Sequence, residues 1–222
     1  MIENEKDFKE ILKVLNEEGL LSKIILVGSW CLLFYQNIFD NLEYTLRTFD
    51  VDFYVPDIKS FREKSGVIKA FKAINYDIIH DSLTYKSTFL SPDGLELEFI
   101  TGLKRNYLSL VRLGNTEIYA ETLPYVDIFT HSFIEMNFEG MTIKVASPIS
   151  YVFQKLLIHK DRKLDKKESD IASIKYVLSG IALSKNYKKE MKNVFNSLPI
   201  KWKKKIIQNA EDIQIDLSIY IC

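Results

Sequence analysis

The segment Phe49-Asp50-Val51-Asp52-Phe53-Tyr54-Val55 alternates apolar and acidic side chains at period two, and Pro56 closes it. Residues i and i+2 of a strand share a face, so this pattern predicts a β-strand that projects Asp50 and Asp52 side by side. Two like charges at that separation repel unless a cation lies between them. A hard divalent ion such as Mg²⁺ takes oxygen ligands from one or two carboxylates plus substrate phosphates. A strand showing its polar face to water gives the same pattern, so the pair alone does not decide.

Working upstream, Ile24-Ile25-Leu26-Val27 predicts a short buried strand, Gly28-Ser29 follows directly, and Trp30 to Tyr35 predict the start of a packed helix. A glycine at such a junction lets backbone approach a phosphate, and helix N-terminal N–H groups point at the anion. Ser29 either adds its hydroxyl to that phosphate or caps the helix. No Walker lysine stands nearby, which excludes a P-loop. Before this, Phe8, Ile11, Leu12 and Leu15 mark an amphipathic helix over residues 5–19, ended by Gly19.

Working downstream, residues 59–74 suit a helix, and Tyr85–Leu90 and Leu95–Thr101 read as two strands around the turn Ser91-Pro92-Asp93-Gly94. Glu96 and Glu98 share one face of the second strand, opposite Leu95, Leu97 and Phe99. Placed beside the Asp50 strand, one glutamate would complete a three-carboxylate site for two metal ions and in-line nucleotidyl transfer. An exposed hairpin with solvated glutamates is the alternative. A second hairpin is expected over Ser132–Phe138 and Met141–Val145. After Pro148 helical spacing dominates, with helices over 148–160, 168–179, 185–197 and 199–209. The expected fold is α/β (α+β): a mixed twisted sheet flanked by helices over residues 1–146, then a helical region over 147–222.

Lys155, His159 and Arg162 fall at i, i+4 and i+7 and would share one face, presenting positive charge to a triphosphate or simply a basic stripe to solvent. The charge distribution allows either. Net charge is zero, yet residues 151–222 hold 15 basic and 8 acidic side chains, and residues 1–150 carry the compensating acidic surplus. An acidic front and a basic back suit a metal and a polyanion respectively.

Composition bounds the remaining classes. A chain of 222 residues with 47% apolar and 27% charged side chains is ordinary globular protein, neither disordered nor low-complexity. Two cysteines, Cys31 and Cys222, form no disulfide framework and suit a reducing cytosol. The acidic, amphipathic N-terminus is not a secretory signal, and the apolar run Ile24–Tyr35 is too short to span a bilayer. A cytoplasmic protein without a membrane partner is expected. His80, His131 and His159 lack zinc-ligand spacing, Cys31 reads as core, and no Gly-x-Ser-x-Gly elbow exists.

The order strand, Gly28-Ser29, helix, Arg47-Thr48-Phe49-Asp50-Val51-Asp52, then a later strand acid resembles the nucleotidyltransferases of the DNA polymerase beta superfamily. With its long interval from Ser29 to Asp50, it looks more like AbiEii-type toxins of abortive-infection systems and related uncharacterised bacterial nucleotidyltransferases. Ala146-Ser147-Pro148, Gln154-Lys155, Arg162, Lys166-Lys167 and Asp170-Ile171 are similar to the lysine-bearing helix, arginine and downstream aspartate of those families. The resemblance covers residues 20–178. It implies that Gly28 and Ser29 hold the nucleotide phosphates, that Asp50 and Asp52 bind Mg²⁺ or Mn²⁺, and that Lys155 contacts the triphosphate, with Arg162 beside it. Glu98, in Glu98-Phe99-Ile100-Thr101, aligns with the third carboxylate, as base for the acceptor hydroxyl or as a further metal ligand. Asp170 would orient Lys155 or Arg162. Two departures stand out: glutamate at 98 in place of aspartate, and Trp30-Cys31 after Ser29 in place of a second glycine, which predicts a crowded phosphate pocket.

The function implied is metal-dependent transfer of a nucleoside monophosphate from an NTP to a hydroxyl of RNA, protein or a small molecule. A non-catalytic nucleotide- or RNA-binding protein on the same fold, and the toxin of a toxin–antitoxin pair with an antitoxin partner, are the alternatives.

Overall fold

The computed structural model describes residues 5–39, 48–61, 66–81, 86–103 and 110–221; Arg47 and Tyr85 lie outside them. The chain opens with helix α1 (Glu5–Glu17), whose Phe8, Ile11, Leu12 and Leu15 are fully buried. Gly19, at φ +64°, and the bond from Leu20 N to Leu15 O (2.8 Å) end it. Strand β1 (Ile25–Val27) runs into a 3₁₀ turn at Gly28–Trp30 and a short α2 (Cys31–Tyr35). Strand β2 is Asp50–Tyr54, a residue shorter at each end than the alternation predicts. The helix expected over 59–74 is described as a 3₁₀ turn at Ile58–Phe61 and α3 at Val67–Ala73.

Six of the next seven elements are strands: β3 (Asp77–His80), β4 (Ser87–Leu90), β5 (Glu96–Gly102), β6 (Leu110–Arg112), β7 (Tyr119–Leu123) and, after a 3₁₀ turn at Val126–Thr130, β8 (Phe133–Phe138). Strand β9 (Met141–Ala146) pairs back onto β8, as the second hairpin predicts. The sheet runs β3-β4-β5-β2-β1-β9-β8, with β7 joining β5 and β6 joining β7. β5 shares one edge between two partners: Glu96–Glu98 pair with β4, Ile100–Gly102 with β7. Its other edge pairs in parallel with β2, so the two acid-bearing strands are neighbours.

β3, β6 and β7 were not expected. β3 is an edge strand of four residues. β7 does alternate in burial, but its inward residues are the small Ala120 and Thr122 rather than large apolar ones, so hydropathy hides the period.

Val51 and Phe53 of β2 and Leu97 and Phe99 of β5 are fully buried on one sheet face. An aromatic core fills that side, including Phe61 and Phe89 against Phe99 and Phe8 stacked on Trp30 at 4.2 Å. Burial of such apolar area, at roughly 25 cal/mol per Å², is the main term holding the layers together. Ser147 opens α4 (Pro148–Ile158), its Oγ accepting from Ser150 N with Pro148 in the first turn. A 3₁₀ turn at His159–Asp161 leads to α5 (Leu164–Leu183), then α6 (Lys185–Ser197), α7 (Ile200–Asp212) and α8 (Ser218–Ile221). α5 begins four residues before the expected start at 168, which puts Lys166 and Lys167 in its first turn.

Candidate active site

Asp50 and Asp52 lie on the β2 face opposite Val51 and Phe53, and the parallel register sets Asp50 beside Glu96 and Asp52 beside Glu98. Neighbouring strands are about 4.8 Å apart, so four carboxyl groups crowd one patch of sheet. Gly28, at φ +72°, ends β1 against this patch. A Cβ there would stand 2.8 Å from Asp52 Oδ2, so only glycine lets the turn close over the aspartate.

The Asp52 carboxyl is pushed up from 3.8 to about 7, first by burial, then by the charges of Glu98 and Asp50, with Lys155 and Lys86 pulling the other way. Burial also raises Glu96, with Asp50 and Glu98 adding to the effect.

Glu98 shares this face but is already engaged. Lys86 Nζ lies 2.7 Å from its Oε1 and 2.8 Å from its Oε2, and Thr88 Oγ1 donates to Oε1 at 3.0 Å. Among the described residues no three His, Cys, Asp or Glu side chains stand together as a ready metal cage. The three carboxylates proposed from the sequence share one sheet face, with Glu98 held by Lys86 and Thr88. Asp50 and Asp52 suit a hard cation: both are oxygen donors, and among the described residues no hydrogen bond is formed to the Asp52 carboxyl. Mg²⁺ needs only one or two such carboxylates where phosphates supply other ligands.

Opposite the acids, α4 and the start of α5 bring cations. Lys155 is buried and Arg162 half-buried, and Asp170 joins them: Lys155 Nζ to Asp170 Oδ1 at 2.6 Å, Arg162 Nε to Oδ2 at 3.0 Å. Lys166 Nζ faces Asp50 Oδ2 at 3.5 Å. His159, the third residue of the expected basic face, is buried with its Nδ1 unpaired and does not line the cavity.

Between the walls lies a cavity of about 300 Å³, lined by Gly28, Asp50, Asp52, Glu98, Lys155 and Arg162 and floored by Ile100, Glu121, Leu123 and Phe129. An adjoining recess of about 100 Å³ reaches Ser29, Thr48, Lys166 and Ser169. Burial and the Glu98 charge raise the Glu121 carboxyl, with Lys86 opposing Glu98. A larger depression of about 580 Å³ runs along β3, but its lining of Lys72 and residues Asn75–Ile79 gathers no comparable set of groups.

One expectation is overturned. Trp30 does not crowd the pocket: it is fully buried against Phe8 on the core side. The 3₁₀ turn at Gly28 rotates it away, leaving Ser29 facing the recess. Cys31 is core, its thiol donating to Leu26 O at 3.3 Å and pushed up to about 12 by burial.

Sequence reasoning missed Lys86, Thr88, Thr48, Glu121 and Ser169. Lys86 and Thr88 were within reach: extending the Ser91–Gly94 hairpin register two pairs sets Thr88 opposite Glu98.

This arrangement of sheet, glycine turn and carboxylate pair is that of the nucleotidyltransferase fold. ANT(2")-Ia in complex with adenylyl-2"-tobramycin superposes with a TM-score of 0.51 at 12% identity, over 93% of this chain and 97% of that one. An antigenic nucleotidyltransferase-like protein from Paracoccidioides brasiliensis aligns over 96% of each chain at 17% identity and TM-score 0.45. The lincosamide antibiotic adenylyltransferase LnuA, lincomycin-bound, aligns at 16% identity and TM-score 0.43, over 76% of this chain and 96% of that one. None of the curated proteins matches in sequence. A family model described as nucleotidyltransferase matches residues 6–198, and the chain belongs to that family. Among the described residues no helix is long and apolar enough to cross a membrane.

Proposed function

We propose that the protein is a cytoplasmic, Mg²⁺- or Mn²⁺-dependent enzyme that moves a nucleoside monophosphate from an NTP to an acceptor hydroxyl and releases pyrophosphate. The observation that carries this reading is one cavity with Asp50 and Asp52 on one wall, Lys155 and Arg162 on the other, and the Gly28 turn between them. The NTP phosphates lie against Gly28 and Ser29, with Lys155 and Arg162 neutralising their charge. Asp170 holds both cations in place by accepting from each, so little reorganisation is needed on binding.

Asp50 and Asp52 hold the divalent ion, which when bound neutralises the charge that builds on the transferring phosphate. The acceptor hydroxyl enters over Glu121 and Leu123 and gives its proton to Glu98. Its oxygen bonds to the α-phosphorus as the bridging P–O bond breaks, and the electron pair leaves with pyrophosphate. Lipophilic floor residues Ile100, Leu123 and Phe129 exclude water and give the acceptor a surface to rest on.

The test is transfer of label from each α-labelled NTP, with Mg²⁺ or Mn²⁺, to separated pools of RNA, protein and small hydroxylated molecules. One NTP labels one pool, and Asp52→Asn abolishes the labelling. Undiminished labelling by Asp52→Asn sinks the proposal.

A further inference from the structure

Among the described residues Lys86 is the cation that pairs with Glu98. It immediately precedes β4, which runs antiparallel to β5, and reaches across to bind both oxygens of Glu98. Its ammonium also interacts with Glu121 and Asp52. A two-metal site would require Glu98 to turn an oxygen to a second cation at roughly 2 Å. An ammonium 2.7–2.8 Å from both oxygens already occupies that side of the carboxylate, and two cations this close repel strongly where water is scarce.

We propose that Lys86 takes the place of a second metal ion, so that the site works with one divalent cation at Asp50 and Asp52. The inference rests on the nucleotidyl-transfer reading above and deepens it. Glu98 is then reserved for the acceptor. Among the described residues Oε1 receives both Lys86 and Thr88 whereas Oε2 receives Lys86 alone, which leaves Oε2 a lone pair for the hydroxyl proton. The proton passes to Oε2 as the oxygen–phosphorus bond forms. Lys86 stays an ammonium throughout and offsets the negative charge of Glu98, Glu121 and the incoming oxygen. It is a positioning residue, acting through Glu98.

Counting bound Mn²⁺ by paramagnetic resonance, with a non-hydrolysable NTP analogue saturating the protein, tests this directly. The wild-type complex holds one Mn²⁺. Lys86→Gln, which removes the charge and keeps a polar group, holds two, whereas Lys86→Arg holds one. In transfer assays Lys86→Gln loses at least about tenfold in rate at low Mn²⁺ and recovers most of it as Mn²⁺ is raised; a purely structural role gives no such rescue. A wild-type complex with two Mn²⁺, or a folded Lys86→Gln complex with one and no rescue, overturns the role of Lys86 alone. A wild-type complex with no Mn²⁺ overturns the nucleotidyl-transfer reading and Lys86 with it. The wild-type count is decisive even if Lys86→Gln fails to fold, which its melting curve reports.

Discussion

Gly28 and Asp52 are in contact across neighbouring strands, with the glycine at φ +72° and only 2.8 Å between the position of a Cβ and Asp52 Oδ2. The Gly28 turn and the Asp52 carboxyl are thus one unit, and a side chain at 28 would displace Asp52. Gly28→Ala sets strained backbone and a steric clash at the same point. We expect a loss of roughly 1–3 kcal/mol in stability and of about a hundredfold in transfer rate, measured by denaturant unfolding and by label transfer.

Asp52 carries a stability cost that grows with pH. In the metal-free protein its carboxyl titrates near 7, against 3.8 ordinarily. As pH rises from 4 to 7 the unfolded chain releases this proton while the folded protein keeps it, so the native state binds more protons and stability falls across that window. Asp52→Asn removes the penalty. Its unfolding free energy should match wild type at pH 4 and exceed it at pH 8, by up to about 4 kcal/mol, read by denaturant unfolding at each pH. A variant no more stable than wild type at pH 8 would show that the carboxylate is well solvated. Saturating Mg²⁺ should narrow the gap by stabilising wild type.

Asp170 is buried between two cations, 2.6 Å from Lys155 Nζ and 3.0 Å from Arg162 Nε. Asp170→Ala strands the buried Lys155 charge and should cost about 3–5 kcal/mol. Adding Lys155→Met to Asp170→Ala should return a large part of that stability. If Lys155 binds the phosphates as proposed, nucleotide affinity should stay lost in the double variant, read by thermal shift with each NTP.

Lys166 and Asp50 make the opposite kind of pair, 3.5 Å apart with both side chains about half exposed. Such a contact contributes at most about 1 kcal/mol. Lys166→Ala should leave the unfolding midpoint nearly unchanged while raising the KM for the NTP several-fold, since Lys166 lines the recess beside Arg162 and Ser29. Equal KM values would place the phosphates elsewhere.

Much of this was legible in the chain. Strand alternation put Asp50 with Asp52 and Glu96 with Glu98, because a period of two assigns faces whatever the surroundings. Gly28-Ser29 between a β-branched run and a helix, the Ser91–Gly94 turn, and Ser147-Pro148 as a helix start are local features written in adjacent residues. They located the sheet's acid-bearing strands and the α4 start without any knowledge of distant contacts.

What the chain could not state was which distant groups meet. The parallel pairing of β2 with β5 sets Asp52 beside Glu98 through a register no local pattern encodes. The turn at Gly28 sends Trp30 into the core, although its position after Ser29 suggests the pocket. Asp170 between Lys155 and Arg162 depends on how the helices that carry them pack. Sequence by itself determined the local geometry and the side-chain chemistry on offer. Tertiary structure alone decided which charges are buried together, because burial and pairing depend on three-dimensional distance, and separation along the chain does not report it.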